Sequence, residues 1–182
     1  FVLDDRLRED APDLIAAARS RGWHIHLLSG DSSPMVAEVA RQLGIEDARG
    51  GLTPDAKLVV LKQLHSEGRR VLMLGDGVND VPVLAAADIS VAMGSASDLA
   101  KTSADAVLLS NRLSSLVDGL KLAKRTRRII IENLAWATLY NGLVLPFAAL
   151  GWITPIWAAV GMSLSSLLVV LNALRLSHTP NM

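Results

Sequence analysis

Two aspartates, Asp76 and Asp80, lie four residues apart in the run Leu74-Gly75-Asp76-Gly77-Val78-Asn79-Asp80. The apolar residues before this run read as a strand, and those after it as a helix. In an open parallel sheet such a junction is where ligands bind, beyond the carboxyl ends of the strands. Asp76 ends the strand, Gly75 and Gly77 permit a tight turn, and Asp80 returns one helical turn later. Two carboxylates at a strand end suit magnesium, which takes one or two carboxylates and completes its shell with water and phosphate oxygens. Asn79 is placed to donate a hydrogen bond to a phosphoryl oxygen. A glycine-rich turn with an aspartate as helix cap would account for either carboxylate alone, but not for the apposed pair.

A second unit repeats the design. The stretch 24–28 reads as a strand and runs into Ser29-Gly30-Asp31, which would hold the Ser29 hydroxyl at a strand tip within reach of a phosphate. A plain turn is the other reading. Lys57 falls in the first turn after Thr53-Pro54, an N-cap with proline at the first helical position. A cation there opposes the helix dipole, which hints at an anion, although an isolated lysine is more often a solvated surface residue. Neither a Gly-Lys-Ser/Thr phosphate loop nor a Gly-x-Gly-x-x-Gly fingerprint occurs.

These residues need a scaffold, and the first 110 or so residues alternate the signals for one. Helical patterns cover 9–21, 33–43, 54–67 and 78–86. Short apolar runs with flanking turn residues cover 24–28, 71–74, 89–93 and 106–109. Nearly continuous apolar strands separated by helices argue for a doubly wound parallel α/β sheet. The segment 112–132 is different: its apolar residues follow helical spacing, and Lys121, Lys124, Arg125, Arg127 and Arg128 gather toward its end. It reads as an amphipathic basic helix, either solvated or lying against anionic headgroups.

From Asn133 to Leu174 there are 42 residues without a charged side chain. One membrane span needs about 20, so the stretch fits two, 133–151 and 152–174, with the turn signals Gly151 and Thr154-Pro155 between them. The basic residues before the first span, and Arg175 in the tail 175–182, place both ends on the cytoplasmic side. Within the hairpin Asn141 is an amide at depth, costly unless it faces a partner or a pathway. Met162 and Ser166 are spaced to share a helix face, and a thioether favours Cu(I) over hard cations. Packing of small residues, with Gly161, Ser165 and Ala173 at the interface, is the competing reading.

The composition sets the outer limits. The chain has 182 residues, 51% hydrophobic, formal net charge +0 and no cysteine. The apolar content excludes a disordered chain. The missing cysteines exclude a disulfide framework or a thiolate metal site, and the charge balance gives no sign of nucleic-acid binding. The histidines show no metal-ligand spacing. The first residue is Phe1 and no leader precedes the first motif, so the chain is expected to be part of something longer.

In this order the segments resemble the C-terminal part of a P-type ATPase, and more narrowly its heavy-metal-transporting branch. The likeness covers essentially the whole chain. Residues 75–80, followed by Pro82, Leu84, Ala87-Asp88 and Ala92-Met93-Gly94, are similar to the family's hinge signature. Ser29-Gly30-Asp31 resembles its Thr-Gly-Asp, Pro54 to Lys57 its Pro-x-x-Lys, and Asp5 to Arg8 its Asp-x-x-Arg.

The resemblance implies a haloacid-dehalogenase-like phosphorylation domain over 1–111. Asp76 and Asp80 would hold magnesium, with Ser29, Lys57 and Asn79 around an aspartyl-phosphate. Asp5, Arg8, Gly30 and Asp31 would face ATP and the nucleotide-binding domain. Tyr140-Asn141 and Met162-x-x-Ser165-Ser166 resemble the copper(I) exporters, which makes Tyr140, Asn141, Met162 and Ser166 candidates for the transported copper. Residues 133–136, the Trp152 turn and 162–176 look closest to the bacterial subgroup supplying copper to cbb-type cytochrome oxidases.

The partners so implied are the copper ion, a copper chaperone, the nucleotide-binding domain and remaining transmembrane helices of the same polypeptide, and the lipid bilayer of a bacterial inner membrane. No Asp-Lys-Thr-Gly-Thr or Cys-Pro-Cys occurs in the chain. The nucleophile is therefore expected upstream, and this chain alone is expected to be inactive. Two other readings stand beside the pump: a membrane-anchored haloacid-dehalogenase-type phosphatase with an upstream Asp-x-Asp nucleophile, and a non-catalytic membrane interaction module.

Overall fold

In the computed structural model, residues 7–31, 33–76 and 78–177 are described. Asp5 lies outside them, as do Gly77 of the glycine-rich turn and His178. The chain divides into two units, Phe1–Asp118 and Gly119–Met182.

The first unit alternates helix and strand as expected: α1 (Ala11–Arg19), β1 (His26–Leu28), α2 (Ser33–Leu43), β2 (Asp47–Arg49), α3 (Pro54–Ser66), β3 (Leu72–Gly75), a 3₁₀ turn (Val78–Asp80), α4 (Val81–Ala86), β4 (Ile89–Met93), α5 (Asp98–Ser103) and β5 (Ala106–Leu108). Among the described residues every strand pairing is parallel, and the strands form two sheets. One holds β1 and β2, the other β3, β4 and β5 in that order. Two elements escape the sequence reading. β2 is the polar Asp47-Ala48-Arg49, a strand only because it pairs with β1. α5 is six residues long and opens where the Ser97 hydroxyl accepts the Ala100 N–H at 3.2 Å. β1 begins at His26 rather than His24, which is exposed.

The Thr53 cap forms as expected, its hydroxyl accepting the Ala56 N–H at 3.2 Å with Pro54 opening α3. The core gathers on β4. Leu84, Ala92, Ala96 and Ala100 form one buried cluster, and Ala11, Met93 and Leu113 a second. Polar clasps tie the sheet ends. Asp105 accepts both the N–H and the hydroxyl of buried Ser90, at 2.8 and 2.9 Å. Asp88 accepts the Val71 N–H at 2.7 Å and lies 2.9 Å from His65 Nε2.

The second unit is a helical hairpin. The segments read separately as 112–132 and 133–151 fall within one helix, α6 (Leu113–Ala149). The sequence changes there from charged to apolar, which alters the preferred solvent but puts no helix breaker in the backbone. Pro146 stands only in its last turn. Gly151 then adopts φ +75°, and α7 (Pro155–Leu174) starts at Pro155. Phe147 and Trp152 stack across the turn, ring centroids 5.5 Å apart. Among the described residues α7 alone is long and apolar enough to cross a membrane. The distal half of α6 is diluted by Thr138, Tyr140, Asn141 and Gly142.

The half-buried positions mark the helix–helix seam: Asn133, Ala137, Tyr140, Val144 and Ala148 on α6, and Ala158, Gly161, Ser165, Val169 and Asn172 on α7. Small residues let the helices approach closely. Gly161 leaves the space the Tyr140 hydroxyl uses, since a Cβ there would come within 2.3 Å of that oxygen and the ring would have to move. Ala173, expected in the interface, is exposed instead, one step round the helix from Asn172.

The clasps make the fold acid-sensitive. The Val71 N–H, then His65, hold the Asp88 carboxyl below the usual aspartate range, and the Ser90 N–H and hydroxyl do the same for Asp105. A carboxylate depressed on folding stabilises the fold above its unfolded value of about 3.9, and that contribution is lost as pH falls through the lower folded value. Urea midpoints of the chain in detergent should therefore hold from pH 7 to about pH 5 and drop below about pH 4. The drop should be shallower in Asp105→Asn.

Candidate functional site

The carboxyl end of β3 is built around one ion pair. Lys57 Nζ lies 2.6 Å from Asp80 Oδ1, and both residues are 8% exposed. α3 presents Lys57 from its first turn, four residues after the Thr53 cap, and the 3₁₀ turn presents Asp80 from the other side. Lys57 is thus not a solvated surface lysine. Burying two charges is costly unless they meet, and here each neutralises the other. The missing side chain of Gly75 leaves the space Asp80 uses: a Cβ at Gly75 would lie 3.2 Å from the Asp80 Cβ and 3.3 Å from its Oδ2. Gly75 is the residue before Asp76, so the turn sets the Asp80 carboxylate against the backbone that carries Asp76. Asp76 and Asn79 are exposed.

This donor set fits a hard divalent ion. Asp80 is fixed against the strand end and Asp76 is open to solvent. Among the described residues no cluster of three or more acidic or histidine side chains forms. An ion held here would therefore draw its other ligands from water or phosphate, the usual habit of magnesium.

At the carboxyl end of β1 the Ser29 hydroxyl donates to Asp31 Oδ2 at 2.8 Å and accepts the Asp31 N–H at 3.1 Å. The loop is clamped to the segment after β2 by Gly51 N–H to Asp31 O at 2.6 Å and Leu52 N–H to Ser29 O at 2.9 Å. Gly30 is exposed, and a Cβ there would meet only Leu52 O at 3.5 Å. Arg8 donates from Nη1 to the Asn111 carbonyl at 2.9 Å. Asn111, with φ 54°, also accepts the Ser95 N–H on its side-chain oxygen. Gly94 is held so close that a Cβ would strike Leu108 O at 2.7 Å. The structure thus brings Lys57 to Asp80 and Ser29 to Asp31, and ties Arg8 into the loops beyond β4 and β5.

In the hairpin, Tyr140 lies in the seam with its hydroxyl over Gly161, whereas Asn141, Met162 and Ser166 are exposed. Met162 and Ser166 do share a face, as expected, and it is an outward one. The two helices alone do not gather the four candidates.

What sequence reasoning missed lies at the open end of the hairpin. Glu132 and Arg175, which bracket the uncharged stretch, pair at 3.4 Å. Asn172 donates to Asn133 at 2.9 Å and receives a bond from Arg175 at 2.8 Å. The Trp136 indole donates to Ser165 at 3.1 Å. The signal was the bracketing itself, since two charges at opposite ends of an uncharged hairpin must arrive at the same level. His26 and Asp47 are likewise cross-strand neighbours, Nδ1 lying 2.7 Å from Oδ2 without the alignment of a hydrogen bond.

The sequence profile of haloacid dehalogenase-like hydrolases matches residues 1–88. The chain is 44% identical over 177 residues to the nitrogen fixation protein FixI of Rhizobium leguminosarum, covering 97% of this chain and 23% of that protein. It is 38% identical over 176 residues to the probable copper-exporting P-type ATPase V of Mycobacterium tuberculosis, with coverage of 97% and 23%. The structure is similar to that of a zinc-transporting PIB-type ATPase in its E2.Pi state, with TM-score 0.88 and 35% identity over 94% of this chain and 28% of that one. The chain therefore spans about a quarter of the length of the curated relatives it matches.

The buried pair yields a direct expectation. Lys57→Ala would leave Asp80 charged and unpaired, so urea unfolding should reveal a loss of about 3 kcal/mol. A loss below about 0.5 kcal/mol would mean that the pair behaves as a surface ion pair.

Proposed function

Because the chain belongs to the P-type ATPases and carries their haloacid-dehalogenase-like unit, we propose that it completes the phosphorylation site of an ATP-driven copper(I) exporter and supplies two of its membrane helices. The observation that carries this reading is the Lys57–Asp80 pair, buried against Gly75 at the carboxyl end of β3. A cation and a carboxylate held ready at that position are what a transferring phosphoryl group requires.

In the proposed reaction, a carboxylate oxygen of an aspartate upstream of this chain attacks the γ-phosphorus of ATP. The new bond is an acyl phosphate, and the bond to the bridging oxygen breaks as ADP leaves. Lys57 Nζ turns from Asp80 to the phosphoryl oxygens, while the Ser29 hydroxyl and the Asn79 amide donate to the same group. Asp76 and Asp80 would hold magnesium, which when bound neutralises phosphoryl charge. Water later attacks the phosphorus, the bond from phosphorus to the aspartyl oxygen breaks, and inorganic phosphate leaves with the carboxylate restored and a proton passed to solvent. Arg8, Gly30, Asp31 and Asp5 are assigned to the nucleotide side. β1 and β3 each pair on one edge only among the described residues, which leaves edges on which a strand bearing the nucleophile could pair.

Copper is favoured over zinc by the side chains of the hairpin. Between residues 133 and 174 there is no Cys, His, Asp or Glu, the usual zinc ligands. The available donors are hydroxyls, amides and the thioether of Met162, and a thioether suits a soft monovalent ion. The exposed face of Met162 and Ser166 would complete a site with other transmembrane helices of the same polypeptide. The five basic residues before the apolar half of α6, and Arg175 after α7, support a cytoplasmic α/β unit and C-terminus in a bacterial inner membrane. A copper chaperone would be the cytoplasmic donor.

In the full-length protein, Asp80→Asn should lower acid-stable phosphoenzyme formation by on the order of a hundredfold or more. Normal phosphoenzyme in that variant would remove the assignment of Asp80. Met162→Ala should leave phosphorylation by inorganic phosphate intact and abolish copper-stimulated ATP hydrolysis. Unchanged copper dependence would return Met162 to a packing role.

A further inference from the structure

The open end of the hairpin carries a concentration of charge that phosphoryl transfer does not use. Between Gly119 and Ser177 there are six Lys and Arg residues and one acid, Glu132. At 100° per residue, Lys121, Lys124, Arg125 and Arg128 fall within an arc of about 100° on α6. Glu132 and Trp136 continue the same stripe toward the apolar half. Glu132 is shared between Arg175 at 3.4 Å and Arg128 at 3.5 Å, and the Arg128 side chain is 82% exposed. Arg125 donates to the Arg175 carbonyl, which holds its guanidinium against the end of α7. Lys124 and Arg127 have no ion-pair partner among the described residues. The surplus of positive charge therefore faces solvent or a ligand.

Beside this stripe an open crevice of about 300 Å³ lies between the helices, lined by Glu132, Asn133, Trp136, Leu168, Val169 and Asn172. Its rim is polar and its walls are Trp136, Leu168 and Val169. The Trp136 ring is fixed by its bond to Ser165. Asn133 bonds Asn172, the third residue from the end of the apolar helix, so crevice and cations lie level with the end of a candidate span. An indole and aliphatic wall below a ring of guanidinium groups is complementary to one kind of molecule: an acyl chain joined to an anionic phosphodiester.

We propose that this end of the hairpin binds an anionic phospholipid, its phosphodiester on Arg125 and Arg128 and its first acyl carbons along Trp136 and Leu168. The proposal rests on the reading that α7 and the distal half of α6 are in a membrane. A lipid held here would bridge α6 and α7 where the seam meets water, fastening the hairpin to one leaflet.

The test uses the full-length protein in dodecyl maltoside, incubated with equimolar dioleoyl phosphatidylglycerol and dioleoyl phosphatidylcholine, with bound lipid counted by native mass spectrometry. Phosphatidylglycerol should be retained preferentially. Arg125→Gln/Arg128→Gln should cut that preference by on the order of tenfold or more, since each cation near a lipid surface contributes a several-fold factor. Leu168→Trp, which fills the crevice and leaves the charges in place, should also expel the lipid. Equal retention of the two lipids, or a preference that both variants keep, would overturn the site. Displacement of the lipid by millimolar inorganic phosphate would assign the cations to a soluble anion and overturn it too. Recovery of the protein only from the soluble fraction of cells would overturn the membrane reading along with the site. A membrane-embedded protein without lipid preference would overturn the site alone.

Discussion

Two opposite charges placed out of water at the end of β3 govern the architecture of the α/β unit. A lone ammonium or carboxylate there would cost several kcal/mol in desolvation, so the position of each fixes the position of the other. Lys57 comes from the helix that follows the two-stranded sheet, and Asp80 from the turn that follows the first strand of the three-stranded sheet. The pair therefore links the two sheets through their helices, at the edge where parallel strands offer their carboxyl ends to a ligand. Other features accommodate it. A Cβ at Gly75 would press on Asp80, whose Cβ and Oδ2 would lie 3.2 and 3.3 Å from it, and Thr53 and Pro54 start α3 where its first turn can deliver Lys57.

In the proposed phosphoryl transfer the same groups would serve two states. Under the proposed function, the ammonium that neutralises Asp80 is the one that would turn to the phosphoryl oxygens. An incoming phosphoryl group would then be met by a cation already desolvated, which has only to turn from Asp80. The charge on Asp80, released from Lys57, would then be available to a divalent ion. The clasps of Asp88 and Asp105 tie the sheet ends in the same unit.

Much of this was legible in the sequence, for identifiable reasons. α3 could be read because Thr53-Pro54 is a start signal that depends only on local geometry, and β3 and β4 because buried parallel strands are apolar on both faces. β2 could not be read, since Asp47, Ala48 and Arg49 become a strand only through pairing with β1. α5 is too short for a periodic signal. The burial of Lys57 was hidden because its partner lies 23 residues away. In the hairpin the difficulty was of another kind. An apolar sequence gives no contrast between the faces of a helix, so the seam through Ala137, Tyr140, Gly161 and Ser165 emerges only from which residues the two helices cover. The same uniformity concealed the exposure of Met162 and Asn141.

The contact between Gly161 and the Tyr140 hydroxyl binds the histories of two positions. With 2.3 Å separating that oxygen from the place where a Cβ would stand, a side chain at 161 requires residue 140 to move or shrink. An alanine at 161 needs the Tyr140 ring to swing aside or 140 to lose its hydroxyl, and a smaller residue at 140 removes the reason for glycine at 161. Among descendants of this sequence a change at 140 therefore opens the way to a change at 161, and the packing of a single helix crossing favours that order over the reverse.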